Sequence, residues 1–129
     1  MNNNIIKAIY FATEASKESP HTFRHGAVCL NRSGQVVSTG YNNKRTSWLQ
    51  RLYAKKVGKP LSDMEHAEVD AIRKAKSPVT LVVVRTNKNG DLRNSKPCSI
   101  CWELIRDSGV KEVFYSDEEG IHRVKVNET

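Results

Sequence analysis

His66-Ala67-Glu68 and, about thirty residues later, Pro97-Cys98-Ser99-Ile100-Cys101 constrain this chain more than any other feature. One imidazole and two thiols can close three corners of a tetrahedral zinc site, and mixed sulfur and imidazole donors suit zinc best. Structural zinc usually takes four protein ligands, whereas three leave a position for water. The fold must therefore carry two remote segments to one point, with Glu68 close by as a proton carrier. Cys98 and Cys101 are three apart, so on a helix they project to the same side. Pro97 suits a first helical turn, which places both thiols where the helix dipole favours the metal-binding thiolate. His66 falls in the first turn of the preceding predicted helix, and two helix N-termini then aim at one centre. Glu68, two residues from His66, faces another way on that turn and neighbours the water rather than ligating the metal. His21, His25 and His122 are the other histidines, and any of them could approach as a fourth ligand.

A chain of 129 residues reads as one domain, 1–129, with a modest core of its own. No apolar run approaches the ~18–20 residues that span a bilayer, so no membrane partner is expected. Met1 to Ile6 begins with asparagines and lacks a signal peptide's basic-then-apolar layout. Three cysteines cannot form a complete disulfide set, and two are spaced as ligands, which fits a reducing, cytoplasmic setting. Cys29, inside the apolar run Gly26–Leu30, reads as a buried structural thiol. The net charge of +7 favours phosphorylated or polyanionic partners without separating a nucleotide from a nucleic acid.

Ile5, Ile6, Ile9, Ala12 and Ala15 recur near helical spacing, so the opening stretch to about Ser16 predicts an amphipathic helix ended by Ser19-Pro20. Ala27–Leu30 and Gln35–Tyr41 read as a hairpin around Asn31-Arg32-Ser33-Gly34. The polar, basic stretch from Asn42 to Pro60 has room for a short helix around Trp48–Lys56. Ser62 and Glu65 match a capping box, which predicts a helix from near Met64. Val79–Arg85 has the unbroken β-branched character of a strand buried on both faces. Thr86 to Lys96 reads as a polar loop turning at Asn89-Gly90. The Pro97 helix stops at Gly109. Glu112–Tyr115 and His122–Val126 are joined by too few residues for a parallel crossover, so they should be antiparallel. The order is α-β-β-α-β-α-β-β, an α/β arrangement with a mixed five-stranded sheet and helices on both faces.

These residues resemble the cytidine/deoxycytidylate deaminase superfamily of zinc-dependent nucleobase deaminases, whose mark is H-x-E followed by P-C-x-x-C. The likeness extends to Gly26-Ala27-Val28, Gly40-Tyr41-Asn42, Glu65-His66-Ala67-Glu68 and the strand after Gly109-Val110, and it is nearest the deoxycytidylate deaminase-like branch. The resemblance implies the three-layer cytidine deaminase-like fold. It implies His66, Cys98 and Cys101 as ligands of one Zn2+ per chain and Glu68 as the catalytic proton shuttle. It implies a sugar contact from Asn42, a base contact from the Ala67 backbone amide, and a homo-oligomer. In that chemistry zinc lowers the pKa of water toward neutrality. Glu68 takes a proton from the water as the ring carbon is attacked and returns it to the ring nitrogen and the leaving amine.

The chain also departs from its relatives. The Asn42–His66 segment is longer than in the tRNA adenosine deaminases. It lacks the His and Cys residues with which some deoxycytidylate deaminases hold a second zinc. The expected antiparallel last pair belongs to the free-nucleoside branch. Lys44, Arg45, Arg51, Lys55, Lys56 and Lys59, interleaved with Trp48 and Tyr53, could grip phosphate and stack a base. Equally, Trp48, Leu49, Leu52 and Tyr53 could pack a solvated helix onto the domain or a partner. Arg93, Lys96, Arg24 and His25 are further candidates for a phosphate pocket or substrate contact. Three functions stay open: deamination of cytosine in a nucleoside or nucleotide, deamination within single-stranded nucleic acid, and a zinc-stabilised nucleic-acid-binding domain. Glu68 argues against the last.

Overall fold

A computed structural model describes residues 1–60 and 64–126. The elements run α1 (Asn3–Ser16), β1 (Arg24–Leu30), β2 (Val36–Tyr41), α2 (Trp48–Val57), α3 (Ala67–Lys74), β3 (Thr80–Thr86), β4 (Leu92–Arg93), α4 (Ser99–Asp107), β5 (Glu112–Asp117) and β6 (Gly120–Lys125). The main sheet has the order β2-β1-β3-β5-β6, with β4 added beside β3. β1 is antiparallel to β2 and β3, β3 is parallel to β5, and β5 is antiparallel to β6.

Alternation along the central strands explains the layers, because successive side chains point to opposite faces. Val28, Leu30, Val82 and Val84 meet Ile5, Ala8 and Ala12 of α1 on one face. Ala27, Cys29, Leu81 and Val83 meet Val69 and Ile72 of α3 and Leu104 and Ile105 of α4 on the other. Each buried Val, Leu or Ile contributes roughly 1.5–3 kcal/mol, so the two-sided strands carry much of the stability. Two glycines let helices lie close to the sheet. A Cβ at Gly26 would run into the Ala12 carbonyl, and one at Gly40 would stand 2.6 Å from the Ala71 nitrogen. Cys29 is buried with its thiol pushed up to about 11 by burial, the inert structural thiol that its setting predicts.

The three-layer α/β fold, the antiparallel last pair and a helix in the basic stretch are as expected. The expected helix around Trp48–Lys56 is α2, capped by the Ser47 hydroxyl on the Gln50 amide and closed by left-handed Gly58. Three details differ. The stretch read as a polar loop contains β4, paired with β3 at Arg85↔Arg93 and Thr86↔Leu92. α3 begins at Ala67, not near Met64, because Glu65 is held extended in a bridge with Asn43. The proposed capping residue Ser62 lies outside the described residues. α4 begins at Ser99, so Pro97 precedes the cap and Cys98 itself is the N-cap.

Candidate active site

His66 and Cys98 occupy equivalent positions, the N-caps of α3 and α4. An N-cap side chain ordinarily accepts a hydrogen bond from its own helix's first-turn amides. Neither does so here. Both side chains turn toward each other, with His66 Nδ1 3.2 Å from Cys101 Sγ and 3.7 Å from Cys98 Sγ. All three ligand atoms lie within 4.8 Å of one another. Zinc–donor bonds of ~2.0–2.3 Å at tetrahedral angles give donor separations of about 3.6–3.8 Å, so this set fits one zinc ion. Among the described residues no fourth protein donor joins the group, and His122 is instead paired with Asp117.

The electrostatics suit a cation. The Cys101 thiol bonds to Cys98 and, with His66, outweighs burial to pull the Cys98 thiol down to about 3. Its partner Cys101 is pushed well above the usual thiol range by the same bond and by burial. His66 is raised chiefly by its bond to Cys98. A thiolate therefore sits against an imidazole and a second thiol, where a divalent ion would displace the shared protons. Glu68 is 5% exposed, and burial raises its carboxyl against the opposing pull of His66. A buried carboxyl beside such a centre has the chemistry of a proton donor and acceptor.

His66, Ala67, Glu68 and Cys98 line a cavity of about 120 Å³ together with His25, Asn42, Met64 and Lys96. At ~30 Å³ per water this space takes a ring-sized group rather than a whole nucleotide. Asn42 is buried and held at both ends: its Oδ1 accepts from the His25 amide at 2.9 Å and its Nδ2 donates to the Phe23 carbonyl at 2.6 Å. His25 lies beside it, with burial lowering its pKa to about 4, so its ring is neutral at physiological pH. Ala67 opens α3, where first-turn amides have no partner within the helix.

Lys44 and Arg45 do not line this cavity. They are exposed and border a separate depression with Asp70, Arg73 and Lys74. Within α2, Leu49 and Tyr53 pack inward, and the Tyr53 hydroxyl donates to Asp107 at 2.8 Å. Trp48 and Leu52 remain exposed. The basic segment is thus half packing face and half open surface, and Trp102 is partly buried against the same core.

Gln50, Met64 and the position of Lys96 were not apparent as one group from sequence. Gln50 is the most telling: it is buried on α2, its Oε1 accepts from the His66 amide at 2.7 Å, and its Nε2 donates to the Met64 carbonyl at 2.7 Å. Its spacing from Ser47 marks it as a first-turn residue of a helix but carries no trace of this contact.

The family described as "Cytidine and deoxycytidylate deaminase zinc-binding region" matches residues 3–117. No curated protein matches the sequence. Among solved structures, the fold is similar to cytidine deaminase from Burkholderia pseudomallei, with TM-score 0.69 and 18% identity over 99% of this chain and 95% of that one. Cytidine deaminase from Mycobacterium tuberculosis gives TM-score 0.64 and 18% identity over 98% and 94%. The dCMP deaminase from cyanophage S-TIM5 gives 0.62 and 20% over 89% and 84%.

Proposed function

The chain belongs to the cytidine and deoxycytidylate deaminase family, and on that premise we propose that it hydrolyses cytosine to uracil in a nucleoside or nucleotide. The observation that carries this reading is one cavity holding His66 and Cys98, with Cys101 beside them and the buried carboxyl of Glu68 in its wall. A non-catalytic zinc site has no use for an acid so placed. His66, Cys98 and Cys101 would hold the zinc, which when bound would supply the Lewis acidity that makes water a nucleophile near neutral pH.

The remaining work belongs to the chain. Glu68 accepts a proton from the attacking water and passes protons to the ring nitrogen and then to the departing amine, so water and cytosine become uracil and ammonia. The Ala67 amide, a first-turn donor without a partner inside its helix, meets the base carbonyl. Asn42, fixed by the Phe23 carbonyl and the His25 amide, presents its remaining hydrogen-bonding capacity to the sugar. Neutral His25 borders the same space without adding charge.

The test is ammonia release from cytidine, deoxycytidine, CMP, dCMP, adenosine, guanine and short single strands, with the zinc content of each sample measured. Glu68→Ala should bind zinc as the wild type does and lose at least about a hundredfold in kcat, the lower end of general acid–base contributions. Equal inertness of both proteins on every compound, with zinc bound, would sink the reading. Turnover of oligonucleotides alone would move the assignment to single-stranded nucleic acid.

A further inference from the structure

The cavity beside the metal donors takes a base and little more, so the rest of a nucleotide must lie outside it. A trough of about 600 Å³ is lined by the loop before β1 and by the β3–β4 turn, and its Arg24 adjoins His25 of the inner cavity. Arg24, Arg85, Lys88 and Arg93 all border this trough, and none of its lining residues is acidic. None of the four is paired with a carboxylate among the described residues.

The strand register makes this concentration of charge more than a surface accident. β1, β3 and β4 place His25, Arg85 and Arg93 in one row of direct cross-strand partners. Direct partners in antiparallel strands share a face, and like charges set directly opposite are destabilising. Arg85 and Arg93 form such a pair, with only the carbonyls of Asn94 and Leu92 as hydrogen-bond acceptors for their guanidinium groups among the described residues. An anion between them would turn that repulsion into two charge-assisted contacts. The same trough contains Phe23, which is 60% exposed with the Arg85 guanidinium 4.4 Å from its ring centre. It also contains His21, whose Nε2 is buried without a hydrogen-bond partner among the described residues.

The row also connects the two spaces. His25 lines the inner cavity, and its cross-strand partner Arg85 lines the trough. Asn42 lines the inner cavity and bonds to the carbonyl of Phe23, which lines the trough. The geometry points to a phosphate-binding subsite formed by Arg24, Arg85, Lys88 and Arg93, contiguous with the reaction cavity and taking a phosphate ester carried by the substrate. This rests on the deaminase reading and narrows it to phosphorylated cytosine nucleotides, as monoesters or within a short strand.

Binding and turnover test it separately on the full zinc-loaded chain. Amide NMR shifts are followed on titration with deoxyuridine, dUMP and a uracil-centred trinucleotide. A phosphorylated ligand should move the amides of residues 85–90, and deoxyuridine should not. In turnover, kcat/KM is compared for deoxycytidine, dCMP and a cytosine-centred trinucleotide. Arg85→Gln, Arg93→Gln and Lys88→Glu should each lower kcat/KM for the preferred phosphorylated compound by ~10- to 100-fold, the size of a lost charged hydrogen bond, while deoxycytidine changes little. Lys76→Glu and Lys111→Glu, exposed residues beyond the opposite ends of β3 and β5, serve as charge controls. A preference for dCMP that depends on Arg85 assigns the subsite to the monoester. A preference confined to the trinucleotide that depends on Arg85 assigns it to a strand. Equal losses on deoxycytidine, or phosphate-dependent shifts only around Lys44 and Arg45, overturn the proposal. If nothing is deaminated but dUMP still moves residues 85–90, the deaminase reading fails and the phosphate subsite stands.

Discussion

Glu65 has no exposed surface and still holds its charge, because Arg73, eight residues further on in α3, reaches back to it. Arg73 Nε lies 3.1 Å from Oε2 and Nη2 lies 3.3 Å from Oε1, while the Asn43 amide donates to Oε1 at 3.2 Å. Burial pushes the carboxyl up, but the Arg73 and Asn43 hydrogen bonds, with the Arg73 charge and Ser47, bring its pKa below the ordinary glutamate value. A depressed carboxylate pKa stabilises the fold above the unfolded-state value, and that contribution is lost as pH falls through the folded value. Arg73→Leu strands the buried charge and should cost about 3 kcal/mol at pH 7, the low end for a broken buried pair, since Arg73 is 26% exposed. In the variant Glu65 can be neutralised by acid, so urea midpoints of variant and wild type should converge between pH 7 and pH 4. A gap constant with pH would mean that Arg73 contributes packing and not charge. The sequence marked Glu65 as half of a capping box, a local reading. Its real partner depends on an Asn43 bridge from 22 residues away, which no local pattern encodes.

Helix α2 was visible as a basic segment with apolar residues at helical spacing, and its two faces follow from that spacing. Its connection to the metal donors was not visible, because Gln50 acts through a side chain that crosses to another element. Gln50 holds the His66 amide at the N-cap of α3, and so fixes where the imidazole starts. Partners behind a metal ligand typically set its affinity by 10- to 100-fold. Gln50→Ala leaves the His66 amide unsatisfied, which should cost about 1–3 kcal/mol in stability and roughly 10- to 100-fold in zinc affinity. Gln50→Glu retains an oxygen acceptor and should recover most of the zinc affinity. Thermal unfolding and a competitive zinc titration separate the two effects. Lost stability with zinc affinity intact would reduce Gln50 to a packing residue. Strand β4 was missed for a similar reason. Leu92-Arg93 is two residues long, with no periodicity to read, and exists because β3 offers a free edge at Arg85 and Thr86.

At the scale of the whole molecule, the metal donors join two helices that the sheet and α2 also hold side by side. α3 and α4 pack on the same sheet face, and the N-cap side chains His66 and Cys98 meet with Cys101 in the donor group. The motif made this meeting legible from sequence, since a histidine and a cysteine pair so far apart can share an ion only if the chain folds back. The alternating strands made the layers legible, because both faces of β1 and β3 had to be buried. What the sequence left open was whether His21, His25 or His122 completes a closed site, since long-range approach has no local signature. With none of them in the donor group among the described residues, the chain should bind one zinc and remain folded without it, held by two apolar layers that do not depend on metal. A ligand that binds only the folded state adds stability as RT ln(1 + [L]/Kd), about 2.7 kcal/mol at a hundredfold excess over Kd. For a domain of this length that corresponds to roughly 10 °C in Tm. Chelation should therefore lower Tm by about this amount while far-UV circular dichroism keeps its α/β shape, and added zinc should restore Tm at one equivalent. Complete unfolding on chelation would make the zinc a structural staple for the whole fold. Unchanged Tm with zinc removed would mean that the two helix ends are already fixed by packing, and that the metal serves chemistry alone.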